Sequence, residues 1–407
     1  MKGEMKPVGK WLHISLVSLL IVAMLGTLMR YKIGFAFPIF EQKNIQHAHS
    51  HFAFGAWISQ TIMVLMIHYL QKRNKPESFS NYNLLLWANL LFGYGMLISF
   101  FIQGYGAVSI GFSTASVLIS FLFTFVFFAD LKTIPPSDPS KNWFKSALIF
   151  NVFSSLGTFS LAYMMATQQL IQKFYLASIY FYLHFQYNGW FFFAIVGIFI
   201  GYLHRVKPEL KVPDSIFYLF VVACPMAYFL STLWAELPFI LYLITVLSAV
   251  MQTFAWGQFL RFYKRNSSGI NACFSPFWRW VFLLVLISFT AKWILQLGST
   301  IPEVSILAFG FRPIVIAYLH LVLLAITSIF LVAFIFSTGL LKTNRTTMAG
   351  LSIFIIGVYS NEILLGIQGV ASLSYTAVPY ANEILFVLGL VMVIGLIVSL
   401  FSVKQAE

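Results

Sequence analysis

Residues 11–33 have the sequence WLHISLVSLLIVAMLGTLMRYKI, an apolar run long enough to cross a lipid bilayer as one helix. A helix needs about 20 apolar residues to cross roughly 30 Å of hydrocarbon. Lys2, Lys6 and Lys10 precede the run, which continues to Arg30 without a small-residue cleavage site. We therefore expect an uncleaved first span rather than a signal peptide.

Eleven more runs of this kind follow, and they predict an all-α polytopic membrane protein with twelve transmembrane helices. The predicted spans cover residues 11–33, 48–70, 82–103, 107–129, 144–167, 175–203, 215–234, 237–260, 278–300, 313–338, 348–369 and 380–403. The connectors between them are shorter than about 20 residues, which leaves no room for a soluble domain. We expect a single transmembrane domain over residues 1–407.

The composition supports the same class of protein. Of 407 residues, 60% are hydrophobic and 9% charged, and the mean hydropathy is +0.86. Soluble domains carry about 25% charged residues, so this chain has too few charges to cover a wet surface. This low charge content excludes nucleic-acid binding and a cytosolic enzyme. A secreted disulfide scaffold is also excluded, since the only cysteines are Cys224 in an apolar run and Cys273 in a connector.

The basic residues predict the orientation. Of the 25 Lys and Arg, 19 fall on the side that holds the N-terminus: Lys2, Lys6, Lys10, Lys72, Arg73, Lys75, Lys132, Lys141, Lys145, Arg205, Lys207, Lys211, Arg261, Lys264, Arg265, Arg279, Lys342, Arg345 and Lys404. Cytoplasmic connectors of membrane proteins are enriched in Lys and Arg. We therefore expect both termini to be cytoplasmic, in the inner membrane of a bacterium.

Five of the eight histidines fall in the outer half of predicted spans. His47, His49 and His51 open span 2, His184 lies in span 6 and His320 in span 10. At about 1.5 Å per residue, the last two lie roughly 10 to 15 Å below the outer helix ends. Metal-binding side chains at one depth in hydrocarbon are functional candidates. The alternative for each is a buried imidazole with a hydrogen-bond partner.

A haem is the ligand that suits this histidine layer, because two neutral imidazoles can hold one iron from opposite sides. The 45 Phe and 19 Tyr provide apolar walls for a porphyrin. We predict haem b with His51 and His320 as iron ligands. His47 shares the helix face of His51 and is the second choice in span 2, whereas His49 faces roughly the opposite way and is expected to be a surface or metal-capturing residue.

Three segments carry a family resemblance: HFAFGAW at 51–57, YLHFQYN at 182–188 and VIAYLHLVL at 315–323. With twelve spans and cytoplasmic termini, they make the chain resemble subunit I of the haem-copper oxidase superfamily, which includes the bacterial nitric-oxide reductases. The resemblance implies that His320 and a span 2 histidine ligate a low-spin haem. It also puts His184 at the position of the first copper ligand.

Departures from that family concern the copper. Span 7 contains no histidine, so the family's paired copper ligands are missing, and Tyr318 stands where the ligand of the active-site haem is expected. Asn188 occupies the position of the oxidases' cross-linking tyrosine. Because copper needs about three imidazoles, we expect haem iron without a standard copper centre.

A second resemblance points to the same chemistry. The run His47-Ala48-His49 and the run GFRP at 310–313 are similar to motifs of the NnrS family, twelve-span haem and copper proteins linked to nitric-oxide stress. The GFRP run precedes span 10 here, whereas it precedes the first span in that family. Both resemblances imply haem and a small diatomic gas.

Other polar residues have roles that depend on these ligands. Arg312 is expected either to pair with a haem propionate or to anchor span 10 at the interface. Lys292 and Glu362 cannot lie charged and alone in lipid, so we expect them to pair, with proton relay as a second role for Glu362. His184 and Tyr187 are expected to line a small polar pocket, in which His184 is either reactive or a packed imidazole.

These observations predict a membrane haem protein that transfers electrons from an unspecified donor, in respiration or in nitric-oxide or oxygen handling. As an enzyme it would be an oxygen or nitric-oxide reductase, and a third possibility is a structural or sensory relative of these proteins. The alternative from another class is a transporter or channel. Its solute path would be lined by Gln103, Asn151, Gln186, Asn188, Gln252, Gln258, Lys292 and Glu362.

Overall fold

The computed structural model describes residues 7–35, 37–73 and 77–403, and these are helical with turns and short connectors but no β-strand. The all-α prediction is confirmed, because twelve helices are long and apolar enough to cross a membrane. They span Pro7–Gly34, Gln42–Arg73, Ser78–Gln103, Ala107–Thr133, Ser140–Ala166, Gln172–Val206, Asp214–Ala235, Phe239–Asn271, Pro276–Gly298, Arg312–Ser337, Arg345–Leu373 and Ala381–Ser402. We number them spans 1 to 12.

The helices match the predicted spans one for one, but several extend past the apolar window. Span 2 begins at Gln42 and span 8 continues to Asn271, because a helix does not end where it leaves the hydrocarbon. A short helix, Pro302–Gly310, precedes span 10 and was not predicted. The cytoplasmic orientation stays a prediction, and four of the basic residues behind it lie outside the described residues: Lys2, Lys6, Lys75 and Lys404.

Spans 2, 6 and 10 are the inner helices by burial. In their most apolar windows 78%, 67% and 72% of the residues are buried, compared with at most 44% in any other span. A helix that is apolar on all sides can be surrounded by protein rather than by lipid. The three spans that contain His47, His49, His51, His184 and His320 are therefore also the three most buried.

Each of these three spans contains a π-helical segment. The segments are Ala53–Ser59 in span 2, Phe185–Phe191 in span 6 and Leu321–Ser328 in span 10. A π-helical turn holds one residue more than an α-helical turn and occurs frequently at functional sites. The segments begin one residue after His184, one after His320 and two after His51.

The chain divides into two compact units. Unit 1 comprises residues 1–123 and 328–407, and unit 2 comprises residues 124–327. Unit 1 is built on contacts of span 12 with spans 1 and 11 and of span 2 with span 3. Unit 2 is built on contacts of span 5 with span 6 and of span 8 with spans 7 and 9. The single domain over residues 1–407 stays a prediction.

Spans 11 and 12 approach each other closely at two glycines of unit 1. A Cβ atom on Gly395 would lie 2.5 Å from the backbone nitrogen of Phe354 and 2.8 Å from the carbonyl oxygen of Gly350. Small residues let membrane helices come into backbone contact. Because backbone atoms cannot move aside as a flexible side chain can, this crossing has no room for a larger residue.

We predict that Gly395→Ala destabilises the protein by about 1 to 3 kcal/mol, the range for overpacking a tight contact. Gly366→Ala in span 11 is the matched control, since a Cβ at Gly366 would meet nothing within 4 Å. Thermal unfolding of both variants in detergent measures the difference. Equal midpoints for the two variants would show that the crossing tolerates a methyl group.

Candidate functional site

Both ring nitrogens of His184 in unit 2 have hydrogen-bond partners. The ring is fully buried. Its Nε2 lies 2.9 Å from the carbonyl oxygen of Cys224, and its Nδ1 lies 3.1 Å from Nδ2 of Asn188. Since a carbonyl only accepts, Nε2 carries the proton and Nδ1 accepts from the amide. This is a hydrogen-bonded buried imidazole, and a role of His184 as metal ligand or reactive residue stays a prediction.

The structure brings Tyr187 close to His184, as the predicted pocket requires. Their ring centroids are 6.4 Å apart, and the ring of Tyr187 also lies 6.4 Å from that of Tyr318. Tyr187 is 6% exposed. On the amide of Asn188, Oδ1 is buried without a hydrogen-bond partner while Nδ2 is bonded to His184. A buried acceptor of this kind is commonly satisfied by a water or a ligand.

Lys292 is a buried lysine of unit 2. It is 1% exposed, and its Nζ lies 3.6 Å from the ring centroid of Trp293 and 5.5 Å from that of Phe192. An ammonium over an aromatic face is attracted by the negative face of the ring. Lys292 also interacts electrostatically with Cys224 and His184. The cation thus belongs to the surroundings of the span 6 histidine.

Glu362 has a different charged neighbour from the one expected. Its carboxylate interacts electrostatically with Arg30 of span 1 and accepts a hydrogen bond from Nδ2 of Asn361, 3.2 Å away. The sequence suggested Lys292 as its partner, because both residues fall in the outer half of their spans. Depth alone does not determine which helices are neighbours, and within unit 1 the cation is supplied by span 1. Proton relay by Glu362 stays a prediction.

His47 and His51 lie on one face of span 2, as their spacing predicts, and both contact Tyr105. The Nε2 atom of His51 lies 3.0 Å from the Tyr105 hydroxyl, and its ring stacks on Phe100 with centroids 4.2 Å apart and planes 9° apart. The His47 ring lies 4.6 Å from the Tyr105 ring. The Nε2 atom of His47 is buried without a hydrogen-bond partner. His51 is thus held by its own aromatic neighbours within unit 1.

His49 faces span 1 on the other side of the helix and is half-buried. Its Nδ1 lies 3.1 Å from the carbonyl oxygen of Val22, and Gly26 leaves the room that the ring needs. A Cβ on Gly26 would lie 3.4 Å from Cε1 of His49. The turn of helix that carries His49 thus packs against span 1, and its role as a surface or metal-capturing residue stays a prediction.

His49 and His320 carry the ring proton on Nδ1, as do histidines that bind a metal through Nε2. Nδ1 of His320 lies 2.9 Å from the carbonyl oxygen of Ile316, and the partner of His49 is likewise a backbone carbonyl. Both Nδ1 atoms must carry a proton, so Nε2 bears the lone pair in the neutral ring. Metal-ligating histidines commonly donate their second N–H to a backbone carbonyl in this manner. By donor chemistry these two rings fit an iron ligand role.

The remaining predicted residues are less closely tied to this arrangement. Arg312 is exposed at the start of the helical segment that ends at His320, and its propionate role stays a prediction. No three His, Cys, Asp or Glu side chains among the described residues form a group that could hold a metal ion.

Sequence reasoning missed the residues that accompany the π-helical segments. The pattern His-Phe-x-aromatic-x-small-Trp occurs at 51–57 and again at 184–190, and Trp57 and Trp190 are both almost fully buried. Asn89 of span 3 donates from Nδ2 to the carbonyl of Gly55 within the first segment, 3.1 Å away. The repeated seven-residue pattern was the signal that could have revealed the likeness of spans 2 and 6.

Comparison of the sequence with protein-family models gives no match, and comparison with curated proteins also gives none.

We predict different tautomers for the histidines of spans 2, 6 and 10. The imidazole ¹⁵N shifts should show a protonated Nδ1 for His49 and His320 and a protonated Nε2 for His184, because each of these atoms faces a carbonyl oxygen. The measurement is solid-state NMR of ¹⁵N-histidine protein in bilayers, with single His→Gln variants for assignment. A protonated Nε2 on His320 in the metal-free protein would contradict the assignment.

Proposed function

We propose that this chain is an integral membrane haem protein that transfers electrons in respiration or in nitric-oxide or oxygen handling. Its organisation resembles subunit I of the haem-copper oxidase superfamily. One observation carries the proposal: the three most buried spans, 2, 6 and 10, each have a histidine at the start of a π-helical segment. π-Helical turns occur frequently at functional sites, and histidines within membrane spans are candidates for such sites.

The donor chemistry of His320 supports an iron ligand in span 10. Its Nδ1–H is already bonded to Ile316, so the ring is oriented and Nε2 is the basic nitrogen. A bound haem b would supply a one-electron iron couple, and the protein's part is to hold the imidazole and exclude water. That His320 shares an iron with a span 2 histidine is a prediction from the sequence.

In span 2 both His51, the choice made from the sequence, and His49 stay candidates for the iron ligand. The Nε2 atom of His51, which would have to face the metal, already interacts with Tyr105. His49 has the same bonding pattern as His320, with Nδ1 on the carbonyl of Val22. The sequence-based choice of His51 relied on its depth and aromatic neighbours, and those neighbours are the groups that engage its ring.

The transporter alternative has less support from the polar residues that it needs. Nε2 of Gln186 donates to Oδ1 of Asn151 at 3.1 Å and to Oγ of Ser154 at 2.8 Å. Hydrogen bonds of this kind between neighbouring spans hold membrane helices together. These side chains are bonded to each other across a contact between two helices, and they therefore serve packing. A solute path would need polar side chains that face an opening.

We predict that the purified protein has the reduced-minus-oxidised optical spectrum of a low-spin haem b, with about one iron and little copper per chain. His320→Ala should abolish the low-spin signal, and so should substitution of the span 2 ligand, tested with His51→Ala and His49→Ala. His204→Ala is the control, since His204 lies at the far end of span 6. Protein purified from haem-replete cells without haem, or a spectrum unchanged in His320→Ala, would refute the proposal.

We also predict that His184→Leu leaves the haem spectrum intact, because this ring is bonded to Cys224 and Asn188 rather than oriented as a ligand. If the pocket beside Tyr187 is reactive, consumption of nitric oxide or oxygen by the variant should fall at least tenfold. Gas consumption is followed electrochemically with an artificial electron donor. Unchanged turnover would assign His184 to packing, and loss of the haem signal would assign it to ligation.

A further inference from the structure

A groove runs along the outer surface of span 8 in unit 2, away from the histidines. Its volume is about 310 Å³, and its apolar wall includes Val250 and Phe254 of span 8 and Leu297 of span 9. Phe254 is 53% exposed, so the wall lies at the surface of the protein. The groove is an elongated depression in the protein surface rather than an enclosed cavity.

Gly257 creates the depth of this groove. It lies in the middle of the lining residues, and a Cβ atom built on it would meet nothing within 4 Å. A glycine inside a helix is less favourable than alanine by roughly 1 kcal/mol in water. No close approach of another helix requires glycine at this position, in contrast to Gly395.

The length of the groove matches one leaflet of a bilayer. From Val250 to Arg261 the helix rises by about 16 Å, at about 1.5 Å per residue. One leaflet contributes about half of the roughly 30 Å of hydrocarbon. A lipid acyl chain laid along Gly257 would therefore extend from the interface to the middle of the membrane.

The groove ends at a basic cluster. Arg261 lines this end, and Lys264 and Arg265 follow within about one helical turn, all three of them exposed. Gln258 adds a donor, since its Oε1 accepts from Oγ of Ser215 at 2.7 Å and its amide NH₂ remains. A guanidinium binds a phosphate through two parallel hydrogen bonds.

We propose that this groove is a binding site for one anionic phospholipid, with an acyl chain along Gly257 and the phosphate at Arg261. The apolar wall would accept the chain of any phospholipid. Selectivity for an anionic lipid comes from the basic cluster, because basic residues at an interface attract anionic headgroups. The site goes beyond the proposed function and does not depend on haem.

The test is native mass spectrometry of the delipidated protein, titrated with phosphatidylglycerol and with phosphatidylcholine of the same acyl chains. The wild type should bind one phosphatidylglycerol more tightly than any phosphatidylcholine. Gly257→Leu should remove that binding event by filling the groove. Arg261→Gln should weaken phosphatidylglycerol binding about fivefold and phosphatidylcholine binding by less, because the choline cation already neutralises the net charge of that headgroup.

Two variants serve as matched controls. Gly366→Leu adds the same side chain at a glycine of span 11 that also has open space, and Arg345→Gln removes an exposed basic residue at the start of that span. Both should bind lipid as the wild type does. Equal binding of the two lipids by the wild type, or retention of phosphatidylglycerol by a folded Gly257→Leu variant, would overturn the proposal. If that variant does not fold, the Arg261→Gln titration decides alone, and unchanged phosphatidylglycerol affinity would overturn it.

Discussion

The hydrocarbon of a bilayer offers no hydrogen-bond partners, and the structure depends on this constraint. Every backbone N–H and C=O inside it must find a partner within the protein, which is why the spans are helices. Side chains obey the same rule. Asn89 donates from Nδ2 to two acceptors on span 2, Oε1 of Gln60 at 2.8 Å and the carbonyl oxygen of Gly55 at 3.1 Å. Polar residues in this chain therefore hold pairs of helices together.

In the π-helical segments the backbone hydrogen bonds depart from the α-helical pattern, and nearby side chains compensate for this departure. A wider turn changes which backbone atoms meet, and nearby side chains bond to the carbonyls of the segment. In span 10 the hydroxyl of Thr327 donates to the carbonyl of Val322, five residues earlier, at 2.8 Å. In span 2 the hydroxyl of Thr61 donates to the carbonyl of Trp57, while the indole N–H of Trp57 donates to Oγ of Ser328 at 2.9 Å. These bonds stabilise the irregular turns of spans 2 and 10.

The same constraint determines which ring nitrogen of each histidine carries the proton. An imidazole whose Nδ1 faces a carbonyl keeps its lone pair on Nε2, as in His49 and His320. An imidazole bonded at both nitrogens, as His184 is by Cys224 and Asn188, has its donor and acceptor already used. The three histidines thus differ in what they can bind, because the bilayer makes each hydrogen bond difficult to exchange for water.

The sequence by itself determined the twelve spans, the shared face of His47 and His51 and the proximity of His184 to Tyr187. These follow from runs of apolar residues and from helix periodicity, which are local along the chain. Only the tertiary structure decided that His49 bonds to Val22, 27 residues away, that His184 bonds to Cys224, 40 residues away, and that Glu362 interacts electrostatically with Arg30. Such partners belong to other helices, and the choice of neighbour depends on packing of small residues such as Gly26 and Gly395. An apolar run predicts that a helix crosses the membrane, but it does not determine which other helices that helix contacts.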